Sequence, residues 1–146
     1  IESQIDNEIT LSEARKSEMA VLFIDVDDFK HYNDQYSHAT GDQVLKFVAR
    51  TIKGTVNEFG FAGRYGGEAE LVRNAEINDP TRAAQDIISK LEEGFECDGV
   101  HLTVSVSIGI SMIKDDYNTR VEYIIGKADD AMYSVKKNGK SNYAFI

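Results

Sequence analysis

Two consecutive glycines, Gly66 and Gly67, constrain the fold of this chain more than any other feature of its sequence. The apolar residues on both sides of them are typical of two antiparallel strands joined by a two-residue turn. Such a turn needs a positive φ at both central positions, and glycine adopts that conformation at the lowest cost. The pattern therefore predicts a hairpin over 59–72 that carries an acid, Glu68, at its tip.

A second acidic segment follows the continuous apolar run 20–24, which is typical of a buried strand. Asp25 comes directly after this run, and a carboxylate there is costly to desolvate unless a cation or hydrogen-bond donors meet it. Two strand tips that bear acids suggest one site for a metal ion and phosphate. The alternatives are that Asp25 emerges into solvent and that Glu68 is only a polar hairpin tip.

The composition limits what the chain can be. A length of 146 residues predicts one domain, 1–146, and a formal net charge of −9 argues against nucleic acid as a partner. No run of 18 apolar residues is present, so we expect no direct membrane contact by this segment. The single cysteine, Cys97, fits a reducing compartment, so we expect a cytoplasmic location, either free or as the cytosolic part of a membrane-anchored protein.

Hydrophobic periodicity predicts the order of helices and strands. Residues 1–17 are predicted to form an amphipathic lead-in helix, with a solvated segment as the alternative for its first turn. The further predicted elements are a strand 19–26, a helix through Phe29 and Tyr36 capped by Asp27 or Asp28, a helix opening at Gly41-Asp42, the 59–72 hairpin, a helix starting at Pro80, a strand 102–112, a helix 118–137 and a strand 143–145. This order predicts an α/β (α+β) domain with a central mixed sheet flanked by helices.

Several separate blocks of sequence resemble, in order and spacing, the GGDEF or diguanylate cyclase family. These blocks are 23–30 (FIDVDDFK), 33–34 (ND), 41–42 (GD), 64–68 (RYGGE), 104–109 (VSVSIG) and 128–140 (ADDAMYSVKKNGK). The resemblance covers nearly all of the chain from about Ala20. It implies a palm fold like that of nucleotide cyclases, with five strands in the central sheet.

The resemblance also implies a metal site. Asp25, the carbonyl of Val26 and Glu68 correspond to ligands of Mg²⁺ or Mn²⁺ in the family. Glu68 further corresponds to the residue that helps to activate the attacking 3′ hydroxyl. Oxygen ligands of this kind are those that metal-bound phosphoryl chemistry requires.

Other positions resemble the nucleotide contacts of the family. Asn33 and Asp42 correspond to the pair that reads guanine, since an amide and a carboxylate can match the acceptor and donors on its edge. Lys30, Lys136 and Lys140 correspond to phosphate contacts, with Lys140 in place of the usual arginine, which keeps the charge but loses bidentate geometry. Each lysine alone is also typical of a solvated helix.

The signature itself departs from the family pattern. After Gly66, Gly67 and Glu68, an alanine, Ala69, stands where the family has a further acidic ligand, and Glu70 stands where it has phenylalanine. A one-residue slip or bulge of the strand is an alternative that would bring Glu70 toward the site. The inhibitory Arg-x-x-Asp motif would fall at 57–60, which has neither residue, so we expect no inhibitory site.

We therefore expect a GTP- and magnesium-binding domain with weak or lost cyclase activity and a regulatory role in bacterial cyclic di-GMP signalling. One alternative is an active cyclase, in which an antiparallel homodimer condenses two GTP into cyclic di-GMP. The other is a dimerisation or scaffold module that binds no nucleotide. Because the chain starts at Ile1 rather than methionine, we also expect it to be a piece of a longer protein with a sensor domain upstream.

Overall fold

The computed structural model describes residues 19–56, 60–62, 69–73, 79–113 and 121–145. The described strands are β1 Met19–Val26, β2 Gly60–Ala62, β3 Ala69–Arg73, β4 Phe95–Cys97, β5 Val100–Leu102, β6 Val106–Ile113 and β7 Asn142–Phe145. The described helices are α1 Phe29–Gln35, α2 His38–Val56, α3 Asp79–Glu93 and α4 Val121–Lys137. The predicted lead-in helix 1–17 and the hairpin tip 63–68 lie outside these ranges.

Five of the strands form one sheet in the order β2-β3-β1-β6-β7. β1 lies at the centre and pairs antiparallel with both β3 and β6, while β7 joins β6 in parallel. The parallel pair requires a crossover, and α4 provides it. The predicted mixed five-stranded sheet is confirmed.

The main core lies between one face of the sheet and the helices α2 and α3. Alternate residues of a strand share a face, and residues three or four apart share a helix face, so the apolar patterns of these elements meet. The buried residues of this core include Ala20, Leu22, Ile24 and Val26 of β1, Val106, Ile108 and Ile110 of β6, Val44, Val48 and Ile52 of α2, and Ala84, Ile87 and Leu91 of α3.

The opposite face of the sheet is covered by α4. On this face β6 presents small residues, Ser107, Gly109 and Ser111. A Cβ built on Gly109 would collide with the backbone of α4 at Ala128 and Met132. The absence of a side chain at Gly109 therefore lets α4 lie directly on the sheet, and its last turn reaches the end of β1.

The predicted single strand 102–112 is wrong at its start, because the chain leaves the strand conformation at 103–105. The backbone groups of this segment have partners elsewhere. The carbonyl of Thr103 accepts from the Tyr32 hydroxyl at 2.8 Å, and the N–H of Val104 donates to the Leu91 carbonyl at 2.9 Å. The carbonyl of Ser105 accepts from the Asp27 N–H at 2.8 Å. These hydrogen bonds replace the pairing with neighbouring strands that a continuous strand would have.

A short hairpin of β4 and β5 was not predicted. Its turn residues, Asp98 and Gly99, have φ of 50° and 80°, the positive pair that a two-residue turn requires. An Asp-Gly pair between short apolar segments was therefore the signal that could have found it. His101 holds the hairpin against the end of α3, with Nδ1 2.7 Å from Glu96 Oε1 and Nε2 2.8 Å from the Glu93 carbonyl. Both contacts raise the pKa of His101, with Glu96 the larger cause.

The start of helix α2 and the cap of helix α1 differ from the prediction. Helix α2 begins at His38 rather than at Gly41, because the Ser37 hydroxyl accepts a hydrogen bond from the Thr40 N–H at 3.1 Å and caps the helix. Helix α1 has Asp28 at its cap position with φ 54° and no capping bond from its side chain. The prediction that Asp27 or Asp28 caps α1 is wrong, because both carboxylates bind other groups.

No helix within the described ranges is both long enough and apolar enough to cross a bilayer.

Candidate metal and phosphate site

Asp25 lies at the carboxyl end of β1, on the face of the sheet that α4 covers. The alternation that buries Ile24 and Val26 in the main core places Asp25 on the opposite face. Its side chain is 39% exposed, and its Oδ2 lies 3.2 Å from Nζ of Lys136 in the last turn of α4. Asp25 is therefore neither fully solvated nor unpaired, because the Lys136 ammonium lies beside it.

The ammonium group of Lys136 contacts three oxygens. Besides Asp25, it lies 3.2 Å from Asp27 Oδ1 and 3.5 Å from the carbonyl oxygen of Val26. Burial opposes the charged form of Lys136, but the attraction and hydrogen bonds of Asp25 and Asp27 outweigh it and raise its pKa. The structure thus brings together Asp25, the Val26 carbonyl and Lys136, three of the predicted site groups.

Asp27 is a buried carboxylate, only 3% exposed, and sequence reasoning missed its role. Its oxygens accept hydrogen bonds from the hydroxyls of Ser105 and Ser107 at 2.5 and 2.6 Å and from the Ser141 N–H at 3.0 Å, besides Lys136. Burial opposes ionisation, yet these donors together lower the pKa of Asp27. Asp27 therefore joins β1, the strand β6, the end of α4 and the turn after it.

The turn after α4 is strained. Gly139, Lys140 and Ser141 have φ of 112°, 63° and 48°, and the latter two are costly for residues with a side chain. Asp27 holds this turn through Ser141, and Lys140 Nζ lies 2.9 Å from both carboxylate oxygens of Asp28. The turn consequently places a second ammonium group beside the segment that follows β1.

The predicted guanine-reading residues lie where α1 and α2 meet. The side chain of Asn33 packs against Gly41, where a Cβ would collide with its Oδ1. Asp42, the next residue of α2, is exposed. Lys30 is exposed on α1. The fold therefore brings Asn33 beside the residue that precedes Asp42.

The signature turn, Gly66, Gly67 and Glu68, lies outside the described residues, but the strand that follows is described. Strand β3 pairs with β1 without a bulge, with position 69 opposite Phe23 and position 70 opposite Leu22. Residues opposite each other in an antiparallel pair share a face. Position 69 therefore lies on the same face of the sheet as Asp25. The one-residue slip that would place Glu70 on that face is not present in the described pairing of β3 with β1.

The oxygen groups at the end of β1 match the donors that Mg²⁺ prefers. A carboxylate, Asp25, and a backbone carbonyl, Val26, already converge on one positive group. Among the described residues no group of three or more His, Cys, Asp or Glu side chains could hold a metal ion. Further protein ligands would have to come from elsewhere in the chain, and Glu68 is the predicted one.

Asp129 adds negative charge near this site, and sequence reasoning missed it. Burial, the neighbouring Asp130 and the charge of Asp25 raise its pKa. It lies on α4 seven residues before Lys136, a spacing that places both on one side of the helix. The surroundings of Asp25 therefore favour a positively charged ligand.

A comparison with protein families matches residues 1–142 to the family described as diguanylate cyclase, GGDEF domain. Diguanylate cyclase A of Treponema denticola is 37% identical over 136 residues, which cover 91% of this chain and 36% of that protein. The bifunctional diguanylate cyclase/cyclic di-GMP phosphodiesterase MucR of Pseudomonas aeruginosa is 36% identical over 130 residues, 87% of this chain and 19% of that protein. The chain thus spans well under half the length of either relative.

Solved structures have the same fold. The GGDEF domain of YfiN (TpbB) from Pseudomonas aeruginosa aligns with a TM-score of 0.91 at 31% identity, covering 99% of this chain and 92% of that chain. The active GGEEF domain of a diguanylate cyclase from Vibrio cholerae aligns with a TM-score of 0.83 at 25% identity, covering 95% of this chain and 89% of that chain. The predicted fold class is therefore confirmed.

Proposed function

We propose, since the chain belongs to the GGDEF family of diguanylate cyclase domains, that it binds GTP together with a divalent cation at the end of β1. Its turnover of GTP to cyclic di-GMP is weak or absent, and its role in cyclic di-GMP signalling is regulatory. The observation that carries this proposal is the convergence of Asp25, the Val26 carbonyl and Lys136, while position 69 on the same face is an alanine.

Each side chain of the site would have a defined part in binding. Asp25 and the Val26 carbonyl, with Glu68, would hold Mg²⁺ or Mn²⁺, and the bound ion would neutralise charge on the triphosphate. Lys136 contacts Val26 and Lys140 contacts Asp28, so both ammonium groups lie beside the β1–α1 connection, where they would meet phosphate oxygens. Lys30, exposed on α1, would add a third cation.

The base would be read at the meeting point of α1 and α2. Asn33 offers an amide and Asp42 a carboxylate, which together match the acceptor and donors of guanine. Adenine presents the opposite pattern at the same edge, so it would leave both groups mismatched. Discrimination then follows from the hydrogen bonds that Asn33 and Asp42 would make with guanine and lose with adenine.

Weak turnover follows from position 69. An acid there would share the face of Asp25 and would add both a negative charge and two oxygen ligands. Alanine supplies neither, so the cation would be held by fewer protein oxygens. Binding of the nucleotide depends less on this position, because the lysines and the guanine-reading pair are retained.

The setting of the domain forms part of the proposal. Residues 1–146 would be one domain of a longer cytoplasmic or membrane-anchored protein, with a sensor domain upstream. Each copy would hold one GTP, so any cyclic product would need a second copy facing the first. Cyclase activity would then rise faster than linearly with protein concentration.

An acid at position 69 should restore turnover. We expect Ala69→Glu to raise the rate of cyclic di-GMP formation about tenfold or more, because one charge-assisted contact contributes about 1.5–3 kcal/mol. Ala69→Gln is the matched control, since it adds the same length of side chain without the charge, and it should leave the rate low. The measurement is chromatographic analysis of products with GTP and Mg²⁺ at several protein concentrations.

Two outcomes would contradict the proposal. If the unchanged chain readily forms cyclic di-GMP, the active cyclase is correct, and Glu70→Gln would then test whether Glu70 supplies the ligand. If GTP does not bind at saturating Mg²⁺, measured by calorimetry, the chain is instead a module for assembly without nucleotide.

Guanine recognition predicts a second, separate result. Asp42→Ala should weaken GTP binding about tenfold or more, since it removes a charge-assisted hydrogen bond, while ATP binding changes little. Asp86→Ala is the control, because Asp86 is also exposed but lies on α3. Equal weakening of both nucleotides, measured by calorimetric titration, would exclude Asp42 as the guanine-reading residue.

A further inference from the structure

The position of the Lys136 ammonium is unusual because it is surrounded by oxygens of three successive residues. Its nitrogen lies 3.2 Å from Asp25 Oδ2, 3.2 Å from Asp27 Oδ1 and 3.5 Å from the Val26 carbonyl oxygen. The side chain of Lys136 is only 21% exposed. A lysine on a helix surface usually keeps its charged end in water, so this side chain is held in place by the oxygens.

Two of these three oxygens are the ones that a divalent cation would use. Mg²⁺ binds carboxylate and carbonyl oxygens at about 2.0–2.1 Å. An ammonium group within hydrogen-bond distance of the same oxygens stands in the space of the ion, and the two positive charges repel each other strongly at that separation. The ion and the ammonium therefore compete for Asp25 and Val26.

Asp27 makes displacement of the ammonium feasible. The carboxylate of Asp27 retains three other donors when Lys136 leaves, namely the hydroxyls of Ser105 and Ser107 and the N–H of Ser141. A buried carboxylate with three donors stays satisfied. Moving Lys136 thus costs one contact to Asp27 and leaves the contacts that hold the turn after α4 intact.

We propose that the Lys136 ammonium occupies the place of the metal ion when no nucleotide is bound, so that a divalent ion binds Asp25 and Val26 poorly. A bound triphosphate would offer this ammonium other anionic oxygens and would thereby free the site for the ion. The inference rests on the proposed function, in that it concerns how metal and GTP binding at the same site are coupled. Binding of one should then strengthen the other, because coupling between two ligands is reciprocal.

The test measures metal binding without nucleotide, using Mn²⁺ as the probe and electron paramagnetic resonance of free Mn²⁺ as the readout. In the 146-residue chain, Lys136→Met should bind Mn²⁺ about tenfold more tightly than the unchanged protein. Lys137→Met is the matched control. It removes the same charge from the next residue, which lies 4.8 Å from the Tyr133 ring and has no contact with Asp25.

A second substitution checks whether the gain in Mn²⁺ affinity arises at Asp25. Asp25→Asn in the Lys136→Met background should abolish the tighter binding, because it removes the carboxylate that the ion gains. If Lys136→Met proves poorly folded by circular dichroism, Lys136→Gln replaces it and keeps a polar group between the same oxygens. Equal Mn²⁺ affinity in the Lys136 and Lys137 variants would overturn the inference, as would a gain that survives Asp25→Asn.

The test of the Lys136 proposal and the test of GTP binding can fail independently of each other. Calorimetry of GTP with the unchanged chain at saturating Mg²⁺ tests nucleotide binding, whereas the Mn²⁺ titrations contain no nucleotide. A chain that binds no GTP but shows the Lys136 effect would retain a metal site governed by its own lysine. A chain that binds GTP but shows no Lys136 effect would have a lysine that serves phosphate alone.

Discussion

Replacing Gly109 with alanine is expected to lower the free energy of unfolding by about 3 kcal/mol or more, the upper range for overpacking a core. The added Cβ would lie well under 3.0 Å from backbone atoms of α4, at Ala128 and Met132. Backbone atoms cannot rotate away as the end of a flexible side chain can. The helix as a whole would have to move off the sheet, which also separates Lys136 from Asp25.

Gly126→Ala is the control for this substitution. Gly126 lies on the same helix, and a Cβ there would meet nothing within 4 Å. Alanine should stabilise the helix by up to about 1 kcal/mol, because glycine is the poorer helix former. Urea denaturation of the two variants measures both effects. A Gly109→Ala protein as stable as the unchanged chain would show that α4 does not lie as close to β6 as described.

Removing the carboxylate of Asp27 should be similarly damaging. Asp27→Ala is expected to cost about 3–5 kcal/mol of stability, the range for breaking one side of a buried, hydrogen-bonded charge pair. The substitution leaves the buried Ser107 hydroxyl and the Ser141 N–H without their acceptor. It also removes one of the two carboxylates that hold Lys136.

Asp28→Ala is the control for Asp27→Ala, because it removes an acid from the same segment but leaves the contacts of Asp27 in place. The ion pair of Asp28 with Lys140 is exposed, with 67% and 40% of the two side chains accessible, so its loss should cost about 0–1 kcal/mol. Both variants can be compared by urea denaturation at pH 7. Equal losses would mean that the contacts of Asp27 contribute no more to stability than a surface ion pair does.

The contrast between neighbouring aspartates shows where sequence reasoning stopped. The sequence around Asp25 predicts that a cation or hydrogen-bond donors meet its carboxylate, because an acid directly after an apolar strand is costly to desolvate otherwise, and the Lys136 ammonium lies beside it. Asp27 was predicted to cap the helix that follows it, which is the role that its neighbours in the chain indicate. Its real partners lie 78 or more residues away, at Ser105, Ser107 and the turn after α4. No local pattern around Asp27 indicates them.

The β4–β5 hairpin was not predicted either, but for a different reason. Its Asp98-Gly99 turn has a local signal that sequence reasoning can use. The break at 103–105 has none, because it depends on Tyr32 and on the end of α3 as hydrogen-bond partners. Local turn chemistry can be predicted from neighbours in the chain, whereas an interrupted strand depends on what packs beside it.

The sequence by itself determined most of the described elements and their buried faces, because the periods of 2 and 3.6 residues act over a few neighbours and need no knowledge of the fold. It also determined the family, because the motif blocks are present in order along the chain. Only the tertiary structure decided that Lys136 lies between Asp25 and Asp27, and that position 69 shares the face of Asp25. Charge pairing and strand register depend on distances in space, and those exist only after α4 and β3 have packed against β1.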